Sequence, residues 1–386
     1  MKPSPQTLRE VANWLLSQAG IGGGSNYVKL FDDGDPNLLQ SLIGRYHQSW
    51  PFPNEPAPPV PPPVSLSVDD TARQQMVAMF ANGQRKLSLL VHFRPAVYLT
   101  DVQRRRKEWV AGFQTIAYSP GPFPADGTYP ANVSLSPQQE TNLVGFLADL
   151  KQIGFTQVNF RFGGVTDCAD KNWGGVWRQD RYEHDRSYIF SIVRLVEQNK
   201  GDLNAIYDLG AEHANTRLED NHSVDSNLHR QFCASLWSDF CNEFGPQNAM
   251  AYSCITQLNQ SRYGRVPVGL VYMLDLFAGE QLPLPGYYAV DTYDTPNVQP
   301  SLPNPVYAVL VETYDFLKRN YPGEELKPFI LQESFYNDAD VARQIEQALS
   351  DRPDLQLQSV FQWPRVRGSD AFPDVFPKSF DQYADL

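Results

Sequence analysis

The chain has 386 residues, 42% of them hydrophobic and 20% charged, which is ordinary for a globular protein of one large domain plus an appendage, or of two domains. Its formal net charge of -12 argues against a nucleic-acid partner, because nucleic-acid binders carry basic surfaces. No run of about 18 apolar residues occurs, so we expect no segment that spans a membrane.

The first residues predict a helix and not a secretory leader. Leu8, Val11, Trp14 and Leu15 have amphipathic helical spacing, and no apolar signal-peptide core is visible. The 4 cysteines show no Cys-x-x-Cys spacing, which favours free thiols in a reducing compartment. A cytoplasmic location is therefore slightly favoured, although a removed signal sequence would leave the same pattern. The sequence indicates no oligomeric state.

We predict two parts, an appendage over residues 1–63 and a catalytic domain over residues 64–386. The appendage is expected to be helical to about residue 50 and then to continue as a proline-rich linker, with residues 20–24 as a flexible loop. From about residue 64 the pattern alternates between strands and helices, which is typical of a parallel α/β fold.

Eight short apolar runs are predicted as parallel strands. They are 87–93, 157–162, 204–209, 249–255, 268–274, 288–293, 329–332 and 357–362. Helical spacing is clearest at 137–153 and 227–244, the first entered through a proline and the second followed by Gly-Pro. Eight strands with intervening helices predict a (β/α)8 TIM barrel.

Polar and ionisable residues stand at the ends of these strands, where barrel enzymes build their active sites. They include His92, Arg94, Asn159, Arg161, Asp208, Glu212, His213, Gln257, Asp275, Asp291, Tyr293, Glu333 and Trp363. Carboxylates can transfer protons, polar groups can bind hydroxyls, and aromatic faces can stack on sugar rings. Their convergence predicts a carbohydrate site at one mouth of the barrel.

Four of these strands resemble those of the clan A glycoside hydrolases. Gly154–Arg161 resembles that family's second strand, which ends in arginine, and Tyr288–Tyr293 resembles the sixth strand with its tyrosine. Phe329–Glu333 resembles the seventh strand, which carries the nucleophilic glutamate. Phe361–Trp363 resembles the eighth, which carries a tryptophan under the sugar.

The resemblance implies a glycosidase that cleaves a polysaccharide or oligosaccharide with retention of configuration. Glu333 would be the nucleophile, Arg161 and Tyr293 would lie within about 4 Å of it and hold its charge, and Trp363 would stack on the sugar. Substrate-binding residues would also include Asp208, His213, Gln257 and Asp291. No cofactor and no metal is expected.

The predicted fourth strand departs from the family, which expects Asn-Glu at its end. Gln257 follows residues 249–255 instead, and an amide cannot deliver a proton. Three explanations are open. The strand count is wrong and Glu212 ends the fourth strand; or Glu212 reaches across from the third strand; or Gln257 replaces the acid.

We favour Glu212 as the acid/base. One observation stands against it: two strands should separate a fourth strand from a seventh, whereas three predicted strands separate Glu212 from Glu333. The alternative is a catalytically silent barrel that binds a glycan or a protein.

Overall fold

The computed structural model describes the backbone of twelve parts of the chain, and the statements below concern these residues. They are 22–27, 76–77, 80, 85–92, 134–135, 137–163, 177–210, 226–255, 266–292, 305–321, 326–334 and 338–362. Nine strands alternate with six helices in these ranges. The strands are β1 Gly22–Tyr27, β2 Lys86–His92, β3 Gln157–Gly163, β4 Asn204–Gly210, β5 Ala249–Tyr252, β6 Cys254–Ile255, β7 Tyr288–Asp291, β8 Phe329–Ser334 and β9 Leu357–Gln362. The helices are α1 Pro137–Ile153, α2 Gln179–Asn199, α3 Ser226–Phe244, α4 Val268–Gly279, α5 Pro305–Asn320 and α6 Asp338–Asp351.

All nine strands belong to one sheet, and every strand pair in it is parallel. The order across the sheet is β5-β4-β3-β2-β1-β9-β8-β7-β6. The first of the described strands, β1, thus pairs with both β2 and the last of them, β9. The two strands at the ends of the order, β5 and β6, are consecutive in the chain and separated only by Ser253.

The sheet is strongly curved, because side chains on distant strands bond to each other across its concave face. Asn159 on β3 donates to Gln332 on β8 at 2.8 Å, although β2, β1 and β9 lie between these strands. Neighbouring strands are about 4.8 Å apart, so four steps across a flat sheet would separate β3 from β8 by roughly 19 Å. Contact at hydrogen-bond distance therefore requires the sheet to curl round on itself.

The two faces of a strand meet different surroundings, which β3 illustrates. Gln157, Asn159 and Arg161 lie on the concave face, where their partners come from other strands. Val158, Phe160 and Phe162 alternate with them and belong to the larger core cluster with the helices. Because the side-chain period of a strand is two, this alternation places polar groups inside the curved sheet and apolar groups under the helices.

A smaller apolar cluster fills part of the concave face. Its buried members come from five strands, and they are Ile206, Met250, Ala289, Ile330 and Phe361. The interior of the sheet is thus packed with side chains, and the polar groups described below lie among them.

Helices cover the outer face and contact one another through aromatic rings and ion pairs. Phe190 on α2 packs edge-on against Phe240 and Phe244 on α3, with ring centroids 6.2 and 5.2 Å apart. Arg194 on α2 pairs with Glu243 on α3 at 2.5 Å beside them. None of the helices in the described ranges has the length and apolar character needed to cross a bilayer.

Most predicted elements are confirmed, and 157–162 and 329–332 share a sheet as expected. Helix α1 has the predicted bounds, and α3 begins one residue earlier than predicted. The run 249–255 is a strand interrupted at Ser253. The run 288–293 is strand only to Asp291.

One predicted strand is wrong: residues 268–274 begin helix α4. A short apolar run has no periodicity that separates a buried strand from a buried helix, and this helix buries Leu270, Met273, Leu274 and Phe277. Asp275, expected at a strand end, therefore lies exposed within α4.

One strand was missed. Gly22–Tyr27 lies within the proposed appendage, and the flexible loop expected at residues 20–24 is wrong for Gly22–Gly24, because β1 belongs to the sheet. A Gly-Gly-Gly-Ser run has little intrinsic strand preference, so pairing with a strand on each side fixes its conformation. The division at residue 63 otherwise stays a prediction, since the rest of 1–63 lies outside the described residues.

Candidate functional site

The carboxyl ends of parallel strands meet at one edge of the sheet, and three predicted site residues lie together there. Arg161 on β3, Asp208 on β4 and Asp291 on β7 are 1%, 0% and 0% exposed. Glu333 lies on β8, where the structure describes its backbone only. Glu212, His213, Gln257, Tyr293 and Trp363 lie outside the described residues.

Arg161 is the centre of a buried ionic cluster. Its Nε donates to Asp208 Oδ2 at 3.1 Å, and its Nη2 donates to Asp291 Oδ2 at 3.1 Å. The same Nη2 donates to Ser253 Oγ at 3.1 Å. One guanidinium therefore joins β3 to β4, to the junction of β5 and β6, and to β7.

The backbone at the β5–β6 junction is shaped to complete this cluster. Ser253 N donates to Asp208 Oδ1 at 3.0 Å, and Gly210 N donates to the same oxygen at 3.2 Å. The ladder between β4 and β5 shifts register at Asp208, and Ala251 has a left-handed φ of 56°. A β-bulge of this kind re-aims side chains, and bulges and unusual backbone angles concentrate at functional sites.

The cluster holds two carboxylates and one guanidinium that are almost completely buried. Burial of charge is costly unless it is paired and hydrogen-bonded, which accounts for the number of bonds converging on Asp208. Burial, and then the negative charges of Asp291 and Asp208, raise the pKa of the neighbouring Cys254 thiol well above its ordinary value. Cys254 therefore stays a neutral thiol, which is unsuited to nucleophilic attack.

A second buried network, of amides and hydroxyls, crosses the concave face. Gln157 Nε2 donates to Asn159 Oδ1 at 2.8 Å, and Asn159 Nδ2 donates to Gln332 Oε1 at 2.8 Å. Gln332 Nε2 then donates to Ser88 Oγ on β2 at 2.7 Å. This network ties β8 to β2 and β3 at the residue immediately before Glu333.

At the amino end of the strands lies a buried ammonium. Lys86 Nζ, at the start of β2, donates to the Gln358 carbonyl at 2.5 Å and contacts Ser359 Oγ at 3.5 Å. Burial lowers the pKa of Lys86 to about 8. It lies at the opposite end of the strands from the ionic cluster.

Glu333 lies beside Asp291 in the sheet. The Cα register pairs these two residues, after a shift between Val290 and Asp291. A second irregularity separates Leu331 from Ser334 on the other side of β8. The backbone of β8 therefore departs from regular pairing at the position of the proposed nucleophile.

The structure brings together part of the predicted site. Arg161 pairs with Asp208 and Asp291, while its expected contact with Glu333 concerns a side chain outside those described. Ser253 was missed, because a serine within an apolar run gives no sequence signal of its own. Among the side chains that the structure describes, no three His, Cys, Asp or Glu converge on a possible metal position.

No protein-family model and no curated protein sequence matches the chain. Among solved structures, it is similar to the beta-1,4-mannanase from the common sea hare Aplysia kurodai, at 10% identity and a TM-score of 0.47, over 89% of this chain and 88% of that one. It is also similar to the virulence factor SghA in complex with its substrate analog salicin, at 9% identity and a TM-score of 0.36, over 91% of this chain and 89% of that one. A further SghA structure, from Agrobacterium tumefaciens, aligns at 9% identity and a TM-score of 0.31, over 92% of this chain and 76% of that one. Likeness at this level establishes neither family nor function.

Proposed function

We propose that the chain is a retaining glycoside hydrolase built on a closed (β/α)8 barrel. Support for closure comes from the two end strands of the sheet, β5 and β6, which are consecutive in the chain with only Ser253 between them. Taken as one interrupted strand, they reduce the nine strands to eight. The hydrogen bonds across the concave face fit the same arrangement.

The position of two glutamates carries the functional proposal. Among the described strands β4 is the fourth in chain order, and Glu212 follows its last residue, Gly210, by two positions. With β5 and β6 counted together, β7 is sixth and β8 is seventh, and Glu333 lies on β8. Two strands thus separate them, which is the spacing that the clan A resemblance requires for acid/base and nucleophile.

The number of strands between the two glutamates falls from three to two because residues 268–274 form a helix. Strand β1 moves the strand before Glu212 from third to fourth. This count favours the first of the three explanations for the missing acid, a wrong strand number. Gln257 then follows the fifth strand and replaces no acid. The alternative of a catalytically silent barrel loses the observation on which it was based.

Two departures from the resemblance remain. Ala211 precedes Glu212 where the family has asparagine, so that contact with the substrate has to come from another residue. Arg161 lies on the third strand, so it does not hold the position of the family's arginine at the end of the second strand. Arg94, two residues after β2, is the arginine at that position. Arg94 lies outside the described residues.

Hydrolysis would proceed in two displacements at the anomeric carbon. A Glu333 carboxylate oxygen bonds to that carbon as the glycosidic C–O bond breaks, and Glu212 gives its proton to the departing oxygen. Glu212 then takes a proton from water, whose oxygen bonds to the anomeric carbon and displaces the Glu333 carboxylate. Tyr293 would hold the nucleophile, and Trp363 would stack on the sugar. His213 would bind the substrate, as would Gln257 in the revised position after the fifth strand.

The test is a panel of 4-nitrophenyl glycosides and matching oligosaccharides, assayed with wild type, Glu333→Gln and Glu212→Gln. We expect wild type to release nitrophenol, Glu333→Gln to show none, and Glu212→Gln to retain the first step on this good leaving group. Azide should raise turnover of Glu212→Gln by forming a glycosyl azide, and should leave Glu333→Gln inactive. Glu346→Gln, which removes an exposed carboxylate on α6, is the control with wild-type turnover.

Two results would contradict the proposal. Turnover that survives Glu333→Gln would remove Glu333 as the nucleophile. Absence of turnover in wild type, together with calorimetric binding of an oligosaccharide, would instead favour the silent barrel.

A further inference from the structure

Arg161 occupies a position that links the strands leading to both proposed catalytic glutamates. It bonds to Asp208, which lies four residues before Glu212 at the end of β4. It also bonds to Asp291 on β7, the register partner of Glu333 on β8. A single guanidinium therefore bonds the carboxyl groups of two residues, of which one precedes Glu212 closely in sequence and the other lies beside Glu333 in the sheet.

We propose that Arg161 is a positioning residue that sets the distance between Glu212 and Glu333 through Asp208 and Asp291. The inference rests on the proposed function, because it concerns the same two carboxylates. Retaining hydrolases need their carboxyl groups about 5–5.5 Å apart, and inverting ones need roughly 6.5–9.5 Å. A small displacement of β4 relative to β8 would thus leave the protein folded and its chemistry slow.

The composition of the concave face supports a role beyond stability. One level is filled by the apolar residues Ile206, Met250, Ala289, Ile330 and Phe361. The ionic cluster follows directly along the strands, since Asp208 and Asp291 each stand two positions after a member of that apolar level. A buried ion cluster stabilises a fold less than well-packed apolar groups of the same volume would. Charges at this level therefore provide a fixed geometry, and they lie at the edge where the proposed site is built.

The geometry of the cluster requires arginine. Nε and Nη2 are separate donors of one rigid, planar guanidinium, so the directions of the bonds to the two carboxylates are fixed relative to each other. The Ser253 hydroxyl adds a third direction at 3.1 Å from Nη2. A lysine ammonium keeps the charge but is a single point that cannot reproduce these directions.

The test compares kcat, KM and unfolding midpoint for wild type, Arg161→Lys and Asp291→Asn on the best glycoside of the panel. We expect kcat to fall by about 100-fold in both variants while KM changes by less than about threefold, because misplacement by about 1 Å costs that much in rate. Arg352→Lys is the matched control, since Arg352 pairs with Asp315 through two bonds of 2.7 and 2.6 Å on the surface. It should keep wild-type kcat and KM.

A double variant shows whether Arg161 acts through Asp291. Adding Arg161→Lys to Asp291→Asn should lower kcat by less than about a further threefold. The reason is that Asp291→Asn already removes the ion pair between Arg161 and the strand beside Glu333. Multiplied effects of about 100-fold each would mean that the two residues act separately, and would overturn the proposal.

Other outcomes are equally decisive. Wild-type kcat in a folded Arg161→Lys would overturn this inference and leave the proposed function intact. A raised KM at unchanged kcat would assign Arg161 to substrate binding instead. If both Arg161→Lys and Asp291→Asn fail to fold, the cluster is structural and the proposal is wrong. If wild type cleaves no glycoside, the proposed function and this inference fail together.

Discussion

At the scale of one residue, Lys86 shows how burial makes a charged side chain unfavourable in the folded state. Its ammonium bonds to a carbonyl and a hydroxyl, and no carboxylate pairs with it among the described side chains. Burial alone lowers the pKa of Lys86 from 10.5 to about 8. The protonated form is thus less favourable in the folded protein than in the unfolded chain.

This shift predicts a pH dependence of stability. Below pH 8 both states bind the proton, but between about pH 8 and 10.5 only the unfolded chain binds it, so stability rises with pH in that window. The free energy of unfolding of wild type relative to Lys86→Met should rise by about 3 kcal/mol across the window. Denaturant titrations of both proteins at pH 7.5, 9 and 10.5 measure it (the difference cancels tyrosine titration). A flat difference would show that Lys86 titrates normally in the fold.

The positions of Arg161, Asp208 and Asp291 at strand ends could be predicted, but their pairing could not. Each stands at the end of an apolar run, and such runs in an alternating α/β pattern predict parallel strands. Their mutual ion pairs join residues from three separate strands, and no spacing in the sequence encodes such a contact. The role of Ser253 could not be predicted, because it depends on the register shift that places its backbone N–H against Asp208.

At the scale of elements, the amide network fixes one strand against two others. Gln332 on β8 bonds both Asn159 on β3 and Ser88 on β2, and all three are buried. A buried amide that loses its partner costs more than the bond contributed, because the partner is left desolvated.

Gln332→Met should therefore lower the free energy of unfolding by about 2 kcal/mol, since it removes both bonds while keeping the side-chain volume. Gln347→Met is the control, because Gln347 is exposed on α6 and bonds Asp351 one turn away. Its effect should stay within about 0.5 kcal/mol. Urea denaturation monitored by tryptophan fluorescence measures both.

A second variant separates lost bonds from lost shape. Adding Asn159→Leu to Gln332→Met removes the group left desolvated, so the double variant should be more stable than the sum of single effects by at least about 1 kcal/mol. Strict additivity would mean that the two amides do not interact.

The elements themselves divide by how they acquire their structure. Helix α1 and strand β9 have the bounds that periodicity and composition predict, because their own residues favour these conformations. Strand β1 could not be predicted, since its conformation comes from β2 and β9. Helix α4 was misassigned because it is apolar on most of its surface, and a pattern without a polar face has no readable period.

On the scale of the whole molecule, β1 makes the N-terminal segment part of the sheet. Without it, β2 and β9 would each expose an unpaired edge in the interior of the strand order.

A chain that begins at residue 28 should therefore be far less stable than one that begins at residue 22, although they differ by β1 alone. We expect the longer chain to unfold cooperatively and the shorter one to lose its sharp transition and to aggregate, because an open parallel edge is a template for association. Circular dichroism melting and light scattering distinguish them. Equal midpoints would show that β1 adds nothing to the stability of the sheet.

The neighbourhood of β1 and β9 also constrains when the protein can fold. Gly22 and its Cα partner Ser359 are 337 residues apart in the sequence. During translation β1 can therefore pair with β2 long before β9 has been synthesised. Contacts between such distant residues form slowly, and unfinished sheets aggregate. Until β9 is synthesised, the free edge of β1 is therefore open to association with other chains.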